Sequence, residues 1–183
     1  MAKSFDLGKI ARALSDRAAL FEGSVVRVGI PAGKKYPDKK GTSIGYIAAI
    51  QEYGAPEVSI PSRPFMRMTR AAKSREWAKL MGEGAQAVVQ RRISLDGMLD
   101  AVGAVAAADV VQTIANRVPP PLAPATVAAR IRRARKANPS FDSKGLPITI
   151  SHPLIDTGAL VAHVSYGTGM AGTEFENGKP VKG

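Results

Sequence analysis

Apolar positions recur at helical spacing over residues 4–22, where Leu7, Ile10, Ala11, Leu14, Ala18 and Phe21 share one face. Ser4 offers an N-cap there and Gly23 a stop. The period then changes to two. In "SVVRVGI", residues 24–30, Val26, Val28 and Ile30 alternate with Val25 and Arg27, the pattern of a half-buried strand. Residues 31–43 read as a basic loop, and 44–53 as a short helix with Ile47 and Ile50 inward, closed by Gly54. Two longer helices follow a proline-rich stretch. The first, about 69–92, carries Trp77, Leu80, Met81, Ala85, Val88 and Val89 on one stripe, against Arg70, Lys73, Glu76, Lys79, Glu83 and Gln86. The second, about 95–118, aligns Leu99, Val102, Ala106, Val110, Ile114 and Val118.

Interior glycines at 82, 84, 97 and 103 weaken both long helices by about 1 kcal/mol each relative to Ala, so they need a packing partner in the chain or in a neighbouring subunit. "PPPLAP" breaks the pattern, and Pro124 suits the first turn of a helix through "ATVAARIRRARK". Residues 137–147 read as loop. A helical start at Asp156–Leu160 is expected to lead into a strand with Leu160, Ala162, Val164 and Tyr166 on one face, and the glycine-rich end is expected to be mobile. These elements predict one α+β domain over residues 1–183, with a helical extension at about 70–118 and a flexible tail at about 168–183.

"EYGAPEVSIPSRPFMRMT", residues 52–69, is the most distinctive stretch. Pro61 and Pro64 share an edge in polyproline II, which would suit a proline-ligand domain, but helices predicted on both sides favour a mechanical role. Ile60 and Arg63 each precede a proline and are pushed extended, giving a stiff strap. The strap ends on Phe65 and Met66, anchors for a hydrophobic seat in the same subunit or in its neighbour.

Charge widens the set of partners. The net charge of +11 predicts attraction to nucleic acid, an anionic membrane or an acidic protein surface. Within 130–136, Arg130, Arg132, Arg133, Arg135 and Lys136 are candidates for phosphate or acidic-partner contact. They spread around more than one helix face and lack aromatic neighbours for base stacking, so sequence-specific readout is not expected.

Catalysis finds little support. With no cysteine, disulfides and thiolate metal sites are excluded. His152 and His163 stand eleven positions apart without a metal-binding spacing. "GTGMAG", residues 167–172, lacks the helix, second strand and acidic residue that a dinucleotide site needs, and "GTEFENGKP" has the wrong phosphate-loop spacing. No enzyme, metal or cofactor is expected. The first twenty residues lack a secretory pattern. No run approaches the roughly 20 apolar residues of a bilayer span, so a soluble protein with no membrane partner is expected.

Two separated blocks together resemble a known family. "YIAAIQEYGAPEVSIPSRPFMRMT" is similar to the helix, E-(Y/F)-G, spacer, I-P-x-R-P-F-(L/M)-R signature of tailed-bacteriophage neck and tail-completion proteins. "PLAPATVAAR" followed by "HPLIDTGALVAHVSY" resembles that family's second landmark, a P-L-x-x-x-T helix start and then P-L-(I/V)-D-T-G-x-L before a strand. The resemblance covers roughly residues 20–168. It implies a structural virion protein that completes the tail and joins it to the DNA-filled head, made in the bacterial cytoplasm. It implies an α+β fold with Ser24–Ile30 paired to Val161–Tyr166. The implied partners are copies of itself in a ring, hexameric or dodecameric, with neighbouring neck, connector and tail proteins and genomic DNA in the lumen. The motif positions Ile60, Pro61, Arg63, Pro64, Phe65, Met66, Leu154, Asp156, Thr157, Gly158 and Leu160 become the expected subunit or partner interface. A non-specific double-stranded DNA-binding protein of packaging or assembly is the alternative.

Overall fold

A computed structural model describes residues 12, 15–31, 33–36, 41–138, 140–141, 147–171, 175–176 and 179–180. Strand β1 is Ser24–Gly29, helix α1 Ile44–Tyr53, α2 Phe65–Val89 and α3 Leu95–Ala115. Then come α4 Pro124–Ala137, the single turns α5 Ile148–Ser151 and α6 Ala159–Ala162, and β2 Ser165–Met170. The short strands β3 Phe175–Glu176 and β4 Lys179–Pro180 pair with each other. The chain is an α+β protein: a two-stranded antiparallel sheet, β1 with β2, packed by helices.

Helix α3 is the centre of the molecule. Its aliphatic face is buried from Leu99 through Val102, Ala106 and Val110 to Ile114, and Val118 continues it beyond the helix end. Both strands and α2 rest on it. The main core gathers Val110, Ile114 and Val118 with Ile44, Ala48, Phe65, Leu154 and Leu160. A smaller cluster of Val88, Met98 and Leu99, joined by Phe21 and Val26, closes the far end. The 70–118 region is therefore the spine of the fold, not an extension from it.

The packing partner that the glycine-rich helices require lies within the chain. A Cβ on Gly103 would stand 2.2 Å from the Tyr166 ring of β2, and one on Gly84 would stand 2.5 Å from Met98 Cγ. Glycine at these two positions lets the elements approach. Polar ties add to the α2–α3 contact: Trp77 Nε1 donates to Asp109 at 2.8 Å, and the Thr69 and Thr113 hydroxyls meet at 2.7 Å. By length and composition α3 is also apolar enough to cross a membrane, which corrects the expectation that no segment approaches that limit. One of its faces is protein core, and Asp100 and Asp109 bond to Thr168 and Trp77.

Several boundaries move. The first long helix begins at Phe65, four residues early, because Pro64 can stand at an N-cap where no N–H is needed. The C-terminal strand pairs Gly29 with Ser165 and Ser24 with Met170, so it starts at Ser165, later than the predicted Val161, and runs past Tyr166. Leu160 and Ala162 lie instead in α6. Thr168–Met170 belong to β2 and not to a flexible tail, and Gly167, within the "GTGMAG" pattern, is buried strand. In α1 the inward positions are Ile44, Ala48 and Glu52, while Ile47 and Ile50 are only partly buried. Most of the predicted N-terminal stripe, Leu7, Ile10, Ala11 and Leu14, lies outside the described residues.

Candidate subunit-docking site

The proline stretch does not run as a strap. Pro56 opens a 3-10 turn through Val58, Ser59 takes a left-handed conformation, and Ala55 and Ile60 exchange two backbone hydrogen bonds at 2.8 and 3.0 Å. The chain thus folds back on itself before running on through Pro61–Pro64. Gly54 is required at the hinge. Its φ is +81°, and a Cβ there would sit 2.8 Å from the Ser62 nitrogen.

Beyond this turn the charged motif residues converge. Glu52 is buried at the end of α1, and its carboxylate accepts from the Met66 and Arg67 backbone N–H groups at 2.9 and 3.1 Å. Those groups belong to the first turn of α2, where helix N–H groups lack intrahelical partners and negative charge is favoured. One helix thereby caps the next. Arg67 closes the contact by donating Nε to Glu52 Oε1 at 3.0 Å and Nη2 to the Glu52 carbonyl at 2.6 Å, with its guanidinium 5.2 Å from the Tyr53 ring centroid.

Arg63 turns the other way. It is 4% exposed and donates Nε to the Pro120 carbonyl at 2.9 Å, Nη2 to the Pro121 carbonyl at 3.2 Å and Nη1 to Gln51 at 3.2 Å. Burial lowers its pKa from the ordinary value, and the nearby cation Arg130 lowers it further. A guanidinium stays charged in a protein, so neutral carbonyls hold this buried cation. The bonds pin the cis Pro119–Pro120 turn against the start of α2.

Asp156 is the second hub. It accepts from Arg133 and from Tyr36, and pairs with Arg130 Nε at 3.4 Å. Arg130 also donates to the His152 and Ile155 carbonyls at 2.8 and 3.2 Å. Burial lowers its pKa, and the Asp156 charge partly offsets that. Thr157 Oγ1 accepts from the Ala159 N–H, and Gly158, with φ +78°, leads into α6.

The expected interface therefore divides. Arg63, Phe65, Leu154 and Leu160 are buried within their own chain, at 6% exposure or less, so they cannot offer surface to a partner. The seat of Phe65 is the chain's own core. Ile60, Pro64, Met66, Asp156 and Gly158 are part-buried, and Pro61 and Thr157 are exposed. Among the basic residues Arg130 is a structural tie rather than an outward contact, whereas Arg132, Arg133, Arg135 and Lys136 are exposed on α4. Among the described residues, no group of three His, Cys, Asp or Glu side chains converges as a metal site would require.

Sequence spacing missed a trough of about 650 Å³ between β1 and α2. Val26, Val28 and Ile30 form one wall, Met66, Trp77 and Met81 the other, and Val102, Ala106 and Val110 the floor. Met81 is 40% and Tyr53, at one end, 71% exposed. Hydrophobic period carries no signal for it, because its lining comes from elements far apart in the chain. Comparison with family models, characterised proteins and solved structures yields no match.

Proposed function

We propose that this chain is a structural, non-enzymatic virion protein of the phage neck, which completes the tail and joins it to the DNA-filled head as a homo-oligomeric ring. The observation that carries the reading is the meeting of the two blocks on which the family resemblance rests. Arg63 of the first block holds the Pro120 and Pro121 carbonyls at the head of the second, and within the second block Asp156 holds Arg130, joining its two halves. The motif residues act together as scaffold, which supports a structural reading of that spacing. Virions assembled without the gene test the reading. Filled heads and free tails that fail to join are the expected result, and normal infectious particles would overturn it.

A second reading, non-specific binding to double-stranded DNA, draws on α4. None of its residues is fully buried, and Arg132, Arg133, Arg135 and Lys136 face solvent. Phosphate contacts by such cations weaken steeply with salt. Affinity for duplex DNA should fall about 10³-fold or more between 50 and 200 mM salt if six phosphates are engaged. An affinity that ignores salt would remove this reading.

A further inference from the structure

The turn between α1 and α2 is an exposed knob. Gly54 and the two Ala55–Ile60 hydrogen bonds close its base, and Pro56 and the left-handed Ser59 fix its tip. Pro56, Glu57, Val58 and Ser59 are all exposed, Val58 at 65%. A turn held in this way has little freedom left to lose on binding, so what it displays is arranged for contact in advance. It displays one aliphatic side chain beside one carboxylate. The Glu57 carboxylate has no hydrogen-bond or ion-pair partner among the described residues.

The β1–α2 trough offers the complement. On α2, Met66, Arg70, Trp77 and Met81 recur at four- and seven-residue steps, so one face of the helix looks into it. Val26, Val28 and Ile30 of β1 and the following chain supply the opposite wall. Of the two cations in the lining, Arg67 is committed to Glu52. Arg70 is exposed, and its guanidinium has no such partner among the described residues. The trough therefore joins an aliphatic lining to one unneutralised positive charge. In a chain with 26 basic residues against 15 acidic ones, two copies meet without repulsion only where an acid is placed against a waiting cation. Tryptophan, methionine and arginine are also the side chains enriched where protein surfaces meet.

We propose that the 56–59 knob of one copy seats in the β1–α2 trough of a second, with Val58 against the aliphatic lining beside Trp77 and the Glu57 carboxylate paired with Arg70. Donor and receiver are different surfaces, so each copy can give one contact and take another, and such contacts close into a ring when the rotation permits. The inference deepens the ring reading above and rests on it for the choice of a second copy as occupant.

Sedimentation velocity on the full-length protein reads the contact. The unaltered chain should self-associate, and Glu57→Arg and Arg70→Glu should each weaken that association about tenfold by setting like charges together. The double variant carrying both reversals should restore it, which a merely structural loss would not. Val58→Asp should weaken it by roughly ten- to hundredfold, the cost of one buried aliphatic contact. All three side chains are exposed, so circular dichroism should be retained in each variant. Trp77 is the chain's only tryptophan, so its emission should shift as the protein associates, and Val58→Asp should abolish the shift. A chain that stays monomeric, a double variant as weak as the single ones, or association without a change at Trp77 would each overturn the proposal. A dimer that grows no further, with the charge-swap rescue intact, keeps this contact and removes the ring reading. A ring in virions that tolerates Glu57→Arg would sink this contact and leave the neck reading standing.

Discussion

Glu52 shows how one side chain can set the junction of two helices. It stands at the end of α1, and its carboxylate serves two N–H groups and a guanidinium of α2. Glu52→Ala strips all three at once and should destabilise the fold by about 2–3 kcal/mol, the range for hydrogen bonds to a charged group. A lower urea midpoint with unchanged slope would register it. His152 works in the opposite sense. It is fully buried, its Nε2 lies 3.1 Å from the Ala115 carbonyl, and burial lowers its pKa from 6.5. Arg117 and Arg130 add repulsion against a third cation. The neutral ring, with the proton on Nε2, donates to that carbonyl. Between the lowered pKa and 6.5 the unfolded chain binds the extra proton, so stability is complete above about pH 6.5 and declines as pH falls below it. His152→Gln should flatten that decline in thermal midpoints taken between about pH 7 and 5.5. An unchanged slope would assign it to other groups.

At the scale of elements, glycine position decides the sign of a substitution. Gly103→Ala drives a methyl into the Tyr166 ring and should cost about 1–3 kcal/mol as overpacking. Gly82→Ala, on the same pair of helices, meets nothing within 4 Å and should stabilise by about 0.5–1 kcal/mol. Chemical denaturation of the two variants side by side checks the contrast. Sequence alone assigns both glycines the same weakness, because spacing along a helix carries no information about what crosses it. The α3 face was legible for the complementary reason: six aliphatic residues at three- and four-residue steps admit one orientation. Glu52 was not legible, since a charged residue near a helix end ordinarily faces water, and its partners lie beyond a proline turn. The onset of β2 was missed because apolar alternation over 160–166 fits a strand as well as the helical turn that occupies its first half.

At the scale of the molecule, the anchor whose seat could lie in the same subunit or in its neighbour is the keystone of the chain's own core. Phe65 is 1% exposed among Ile44, Val110, Ile114 and Leu160. Phe65→Ala should therefore destabilise the isolated chain by about 3–5 kcal/mol, visible in its melting transition. A variant that melts normally but fails to assemble would contradict that placement. Among the described residues, the surfaces that remain open are the trough and the exposed face of α4. The fold class and the central helices could be read from hydrophobic period, whereas the trough could not, because it arises from the spacing of three elements that are far apart in the chain.

The pairing of β1 with β2 sets Gly29 opposite Ser165. That long-range antiparallel contact closes most of the chain as one loop, and loop closure must be met before its strands repay it. During synthesis at roughly 5–20 residues per second, the first strand waits several seconds for its mate to be made. Until then Val26 and Val28 lack the sheet. β2 is thus the latch, and a nascent chain cannot complete the β1 wall before translation is nearly over. The moment at which the sheet can close is written into the order of its strands.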